Sequence, residues 1–396
     1  MIAVIADDFT GAAEIGGIGL RHGLKVIIET RPILDEETDL LVVATDTRSL
    51  KAKEAAHVIT QITEELLKFN PQFIFKKIDS VFRGNIIDEL FAQMKVSKQS
   101  RAVIAAANPV FNRIIRNGVY YINDIPLNQT CFASDFQFPI GSSNVLEIIE
   151  IDNELPLVNI KPDDELPDSG FIVGEVCDYE DLEKWARYKD DKTLLAGASG
   201  FFNAILEKYI LSGSYNYSDP LPFGKKSLYV LGSTYPKDMS FLERLGENGH
   251  YLSNMPEEIY YNKNFDSTIF DSWVEDIVNG IKKHNKAITS IVHSQSNEPD
   301  ISLRIREIIG KLIKKVADKI ELEELFIEGG STTYLVLKRL DIKKLHPIQE
   351  IDTGVIRMKT DCKRNLCITT KPGSYYWPDN VWVPDDMQKF NNIAYD

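Results

Sequence analysis

The sequence predicts an α/β protein of two domains, each a mainly parallel sheet flanked by helices, with a ligand cleft between them. Three observations carry this. The chain has 396 residues, more than a single hydrophobic core usually serves. Short β-branched runs alternate with amphipathic stretches along its length, the pattern of parallel strands joined by right-handed helical crossovers. A segment rich in Gly, Ser and Pro interrupts that alternation near the middle, as a linker would.

Taken in order, Ile2–Ala6, Val26–Glu29, Leu40–Ala44, Phe73–Lys77 and Ala102–Ala106 are short apolar or β-branched runs, as strands buried on both faces require. After Leu50, Ala55, Ile59, Ile62, Leu66 and Phe69 recur at intervals of three and four, while Lys53, Glu54, His57, Glu64 and Lys68 fall on other faces; an amphipathic helix follows. The stretch from Asn153 to Gly170 is rich in Asp, Glu and Pro and reads as an exposed excursion before the sheet resumes at Phe171–Val173. A helix near Tyr179–Tyr188, a strand at Leu194–Ala198 and a helix at Phe201–Leu211 complete the first half. The linker runs from Ser212 to Pro222, which sets the domains at residues 1–222 and 223–396. The second half opens with a strand at Ser227–Leu231, continues through helical patterns at Lys237–Gly246 and Phe270–Lys283, and returns to strands at Ala287–Val292 and Leu325–Ile327. It contains no internal repeat.

Composition narrows the function. Lys+Arg number 45 against Asp+Glu 59, a net charge of −14, so nucleic acid and anionic membranes are disfavoured as partners, while a small anion needs only a local cationic pocket. The start of the chain lacks the basic and long apolar regions of a signal peptide, and Cys131, Cys177, Cys362 and Cys367 form no C-x-x-C pair; a reduced, cytoplasmic chain is expected. Neither the cysteines nor the six histidines show metal-type spacing.

Ligands in open α/β sheets sit where strands end. Asp7-Asp8-Phe9-Thr10-Gly11-Ala12 follows the first strand, and its carboxylates suit sugar hydroxyls, a magnesium ion or a general base, or else a helix N-cap assisted by Thr10. A phosphatase of the haloacid-dehalogenase type orders these residues Asp-x-Asp-x-Thr, but Ala6 stands where the nucleophile belongs, which argues against an aspartyl-phosphate intermediate. Lys77, Asp79, Ser80 and Arg83 follow the fourth strand, and Arg48 follows the third; these offer donors to a carboxylate or phosphoryl group. In the second half, Gly232-Ser233-Thr234, Gly329-Gly330-Ser331-Thr332-Thr333 and Lys371-Pro372-Gly373-Ser374 are small-residue turns after apolar runs, where backbone amides can approach phosphate. Neither a Walker motif nor G-x-G-x-x-G is present.

With these loops the chain resembles the four-carbon acid sugar kinase family over nearly its whole length, through Ala6-Asp7-Asp8-Phe9-Thr10-Gly11-Ala12, Lys77-Ile78-Asp79-Ser80 with Arg83-Gly84, Asn108-Pro109 to Arg113, Gly232-Ser233, Gly329-Gly330 and Lys371-Pro372-Gly373. The resemblance implies an N-terminal sugar-acid-binding domain and a C-terminal nucleotide-binding domain. It implies sugar-acid contacts from Asp7, Asp8, Arg48, Lys77, Asp79, Ser80 and Arg83, and ATP contacts from Ser233, Gly329, Gly330, Ser331, Thr332 and Gly373. ATP and Mg2+ are the expected cofactors, the acceptor is a hydroxyl of a threonate, erythronate or 3-oxo-tetronate type acid, and a homodimer is compatible with the helical faces. Ser331-Thr332 stand where relatives often carry an acidic residue, Asn112-Arg113 where Gly-Arg is usual, and Asp135-Phe136 where Asp-Pro is expected. Phosphoryl transfer leans on positioning and cations more than on proton removal, so Lys77 and Arg83 are the expected electrostatic groups, with Asp8 ahead of Asp79 as base. The acid's own carboxylate is assigned to Arg48 or the first helix N-terminus. A non-catalytic sensor that binds nucleotide and sugar acid is the alternative.

Overall fold

The computed structural model describes residues 1–135, 137–149, 154–210, 221–232, 242, 245–246, 250–291, 301–362, 365–373 and 375–382. The chain divides into two compact units, Met1–Asn216 and Tyr217–Asp396.

In the N-terminal unit, β1 (Ile2–Ala6), β2 (Val26–Glu29), β3 (Leu40–Ala44), β4 (Ile74–Lys77) and β5 (Arg101–Ala105) fall on or within one residue of the expected runs. Helices α1 (Phe9–Arg21), α2 (Ala52–Leu67) and α3 (Ile86–Ser97) form the crossovers. After β6 (Arg113–Arg116), β7 (Val119–Ile122) and β8 (Ile125–Pro126) come β9 (Leu157–Ile160), β10 (Gly170–Gly174), α4 (Tyr179–Ala186), β11 (Thr193–Gly197) and α5 (Ser199–Tyr209). The main sheet runs β2-β3-β1-β4-β11-β5-β10-β9, and its pairings are parallel. The apolar stripe of α2 packs Ile59 and Leu66 onto Ala3, Ile5, Leu41 and Val43, so the spacing that predicts the helix also fixes the face it buries.

Two parts of this unit differ from expectation. The acidic, Pro-rich stretch after Asn153 is not wholly an excursion: β9 pairs in parallel with β10 at the sheet edge. Edge strands tolerate such polar flanks because only one side is paired. Residues 113–126 form a separate antiparallel sheet in the order β6-β7-β8.

In the C-terminal unit, β12 (Ser227–Leu231), α6 (Ser267–His284), β13 (Lys286–Ser290), α7 (Ile301–Lys319), β14 (Glu324–Glu328), α8 (Gly330–Leu340), β15 (Lys344–Asp352), β16 (Val355–Thr360) and β17 (Cys367–Lys371) give the sheet order β13-β12-β14-β17-β16-β15. The first four strands pair in parallel, whereas β16 runs antiparallel to both β15 and β17. The expected helical pattern at Lys237–Gly246 lies largely outside the described residues, as does most of the linker segment. The core stacks Tyr229 on Phe326 at 4.2 Å between centroids and adds Trp377 and Trp382.

Arg357 and Glu324, 5% and 1% exposed, form an ion pair inside this unit. The same guanidinium donates to the carbonyls of Leu221 (2.9 Å) and Pro222 (3.0 Å), tying the entering chain to the sheet. Removing one partner of a buried pair strands the other charge, so Arg357→Ala should lower stability by about 3–5 kcal/mol. Urea denaturation followed by tryptophan fluorescence checks this, and a loss smaller than that of an exposed ion pair would show that Glu324 is otherwise compensated.

Candidate active site

The site grows from the register of three adjacent strands. Ala6 at the end of β1 pairs with Ala44 of β3 and with Lys77 of β4, so the loops that follow leave the sheet at one level. They are stitched together at their roots: the Thr45 hydroxyl donates to the Ala6 carbonyl (2.9 Å) and the Arg48 amide to the Asp7 carbonyl (3.3 Å). Asn85 of the third loop donates to the carbonyls of Thr47 and Leu50 in the second.

The adjacent aspartates have different tasks. Asp8 caps α1, accepting from the Gly11 amide (2.8 Å) and the Thr10 hydroxyl (2.6 Å), the N-cap assisted by Thr10 that its place before the helix allows. Asp7 is gripped by both edges of the Arg48 guanidinium, Nε to Oδ2 at 2.7 Å and Nη2 to Oδ1 at 3.0 Å. Arg48 also lies 3.1 Å from Asp8 and 3.3 Å from Asp79, so one cation from β3's loop joins carboxylates from the other two. Gly84 makes room for it. Its φ is +98°, and a Cβ there would lie 2.8 Å from Arg48 Cγ, so only glycine suits both the backbone and the space.

Asp79 accepts from the amides of Val81 and Arg83 and from Nε and Nη2 of Arg83. The third guanidinium nitrogen of Arg83 donates to Asp135 at 2.9 Å. Lys77, 4% exposed, donates to the Ile78 carbonyl (3.1 Å) and lies 3.7 Å from Glu14. Ser80 accepts from Arg113 of β6. The Phe132 ring lies under both Arg83 and Arg113, at 5.3 and 5.7 Å. Asp7, Asp8, Arg48, Lys77, Asp79, Ser80 and Arg83 are thus neighbours on one sheet edge. Arg113, Phe132 and Asp135 join them; the sequence assigns none of the three a role, although Arg113 and Asp135 lie in segments compared with the family pattern.

Burial and charge set the protonation. Burial alone would raise the Asp8 carboxyl, but Arg48, Lys77 and the hydrogen bonds from Thr10 and Gly11 hold it below the usual carboxylate range. Asp79 is likewise penalised by burial, yet Arg83 and Arg48 hold it far lower. Desolvation opposes the charge on Arg48, and Asp7, Asp8 and Asp79 reverse the effect. Beneath the loops, Lys76 points to the opposite side of β4 and meets Glu89 of α3 at 2.6 Å, both residues almost wholly buried.

In the C-terminal unit β12, β14 and β17 are neighbours, so their small-residue turns also meet on one edge. Gly329 has φ +90°, a conformation glycine adopts freely. Its amide donates to the Lys371 carbonyl (3.0 Å) and its carbonyl accepts from the Thr333 hydroxyl (2.9 Å). Gly330, Ser331 and Thr332 open α8, where first-turn amides have no intrahelical acceptors and suit an anion. A Cβ at Gly232 would find its nearest atom on Thr332 at 3.8 Å, so Gly232 adjoins the start of α8. Gly373 lies in the turn after β17, whereas Ser233 and Ser374 fall outside the described residues. Under this edge Glu328 accepts from Trp377 Nε1 (3.0 Å) and pairs with Lys371 (3.2 Å). Burial lowers the Lys371 ammonium below the usual lysine range, with Glu328 acting against it.

Comparison with known proteins matches residues 2–205 to a family described as sugar-binding N-terminal domain and residues 228–375 to one described as nucleotide-binding C-terminal domain. Fold and matches together define a two-domain protein that couples a sugar-binding unit to a nucleotide-binding unit. The chain belongs to the four-carbon acid sugar kinase family. It is 33% identical over 221 residues to a D-threonate kinase of Salmonella typhimurium, a match spanning 51% of this chain and 52%, about half, of that relative. A 3-oxo-tetronate kinase of Haemophilus influenzae is 24% identical over 406 residues, covering 95% of this chain and 97% of its own. A solved structure from Haemophilus influenzae, 19% identical, superposes with a TM-score of 0.68 over 95% of this chain and 97% of that one, which supports the fold.

The folded-state values of Asp8 and Asp79 lie below the 3.8 of an unperturbed carboxyl, so their stabilisation is present above that pH and is lost as pH falls through the lower folded values. The difference in unfolding free energy between wild type and Asp79→Asn should therefore be largest near neutrality and shrink below pH 3.8. Equal differences at neutral pH and at about pH 2 would show that the ionised form is not the stabilising one.

Proposed function

We propose that the protein is an ATP-dependent kinase that phosphorylates a hydroxyl of a four-carbon sugar acid of the threonate, erythronate or 3-oxo-tetronate type, with the acid bound by an N-terminal domain of residues 1–222 and ATP by a C-terminal domain of residues 223–396. The observation that carries this reading is the cluster of Asp7, Asp8 and Asp79 around Arg48, with Lys77 and Arg83 beside it. The names of the relatives, kinases of threonate and of 3-oxo-tetronate, support the substrate class.

The roles follow from the contacts. Oxygens of Asp7 and Asp79 accept sugar hydroxyls while Arg48 fixes their positions. Asp8, ionised at neutral pH, takes the proton of the attacking hydroxyl. Its lowered pKa makes it a weak base, which suits a loose transition state with little need for early proton removal. Lys77, whose contacts are a backbone carbonyl and a glutamate 3.7 Å away, meets the charge of the transferring group, with Arg83 and Ser80 lining the same pocket. The nucleotide phosphates lie on the amides of Gly329, Gly330, Ser331 and Thr332, near Ser233 and Gly373. Mg2+ in such sites is held by the phosphates with one or two carboxylates, and Glu328, one residue before Gly329, is an acidic side chain at that edge. No helix among the described residues is long and apolar enough to cross a membrane.

Release of ADP with a panel of D-threonate, D-erythronate and 3-oxo-tetronate tests the activity, and binding of acid and nucleotide without ADP would make the protein a sensor. Asp8→Asn tests the base cleanly, because asparagine still caps a helix. It should lower kcat by about 10²–10⁴-fold with the KM for ATP unchanged. Unaltered turnover would remove Asp8 from the chemistry. Lys77→Met should lower kcat by about 10²-fold or more, as loss of a single preorganised charge-stabilising donor does.

A further inference from the structure

The site cations differ in how the protein neutralises them. All three nitrogens of Arg48 lie on Asp7, Asp8 and Asp79, and those of Arg83 lie on Asp79 and Asp135. Lys77 has Glu14 nearby. Arg113 has no carboxylate within ion-pairing distance among the described residues: its polar contact is the neutral hydroxyl of Ser80, and its guanidinium lies over the Phe132 ring. A partly buried arginine without an acidic partner is unusual in a chain of net charge −14, because desolvating a charge is costly unless something compensates it.

The mini-sheet brings a second group to the same side. Ile115 of β6 faces Tyr120 of β7, and Arg113 lies two residues before Ile115, so Arg113 and Tyr120 project from one face of the hairpin. Tyr120 is fully buried, and its hydroxyl has no hydrogen-bond partner among the described residues. A planar fork with free donors, a neutral hydroxyl and an aromatic floor match a small carboxylate, which guanidinium binds through two parallel hydrogen bonds.

We infer that Arg113, carried on the β6–β8 sheet, receives the carboxylate of the sugar acid, with the Tyr120 hydroxyl beside it, and so selects acids over neutral polyols. The inference rests on the sugar-acid kinase reading and moves the carboxylate away from Arg48, whose donors already serve protein aspartates.

The test measures binding and turnover together. Arg113→Ala should raise both the Kd for the preferred acid, by titration calorimetry, and its KM by about 10–150-fold, the effect of losing hydrogen bonds to a charged group. The KM for ATP should stay unchanged, and any turnover of threitol, the uncharged C1-alcohol analogue, should fall less than that of the acid. Arg113→Lys should fall between, since it keeps the charge but loses the fork, and added guanidinium ion should partly restore the alanine variant. An unchanged Kd for the acid in variants with a wild-type melting curve overturns the inference, and so does equal loss for acid and alcohol. If the wild type binds the acid without releasing ADP, the kinase reading fails while Arg113-dependent binding still upholds this one. If it binds no four-carbon acid, both fall.

Discussion

One guanidinium holds the N-terminal site in shape. Arg48 contacts Asp7, Asp8 and Asp79, which arrive on two different loops from neighbouring strands. Without a cation among them, each close pair of carboxylates would repel by about 4 kcal/mol at partly buried, short range. With it, Asp8 and Asp79, which burial would otherwise push toward protonation, stay ionised. The strand register makes this possible by ending β3, β1 and β4 at one level, and Gly84 makes it fit by leaving space against the arginine's stem. Asp79 then passes the order on, because the arginine it fixes, Arg83, reaches Asp135 beyond the main sheet.

The two units build their sheet edges by different means. The N-terminal edge uses side-chain charge, heavily compensated by ion pairs within the protein. The C-terminal edge uses backbone: a left-handed glycine and the first-turn amides of α8, with the Thr333 hydroxyl bonded to the Gly329 carbonyl beneath them. Its buried charges, Glu328 and Lys371, satisfy one another and nearby carbonyls.

Much of this was legible in the residues. Strands buried on both faces announce themselves as apolar runs, and β2, β3 and β12 fall at the expected residues because turn-forming or charged residues bound them. Asp7, Asp8, Lys77, Asp79 and Arg83 could be singled out because chemistry-bearing residues after a parallel strand must lie at the sheet's carboxyl edge. What could not be read was division of labour. Nothing in Asp7-Asp8 says that one caps a helix while its neighbour grips an arginine 41 residues away. The missing carboxylate beside Arg113 is equally silent, since charge balance is a property of space. β9 was hidden by its acidic flanks, and β6–β8 by their shortness.

The position of β11 also governs how the molecule can be made. Thr193–Gly197 lies between β4 and β5 and pairs with both, although those strands are complete well over a hundred residues of sequence earlier for β4 and nearly ninety for β5. The loop that carries Asp79 and Arg83 is anchored through the Ile78 amide to the Gly197 carbonyl at 3.1 Å. A nascent chain on the ribosome therefore holds β4 with one side unpaired for roughly ten seconds at ordinary synthesis rates, exposing an aggregation-prone edge. The charged loop after β4 acquires its anchor only when that late strand is threaded in, so ordering of that loop and completion of the domain coincide.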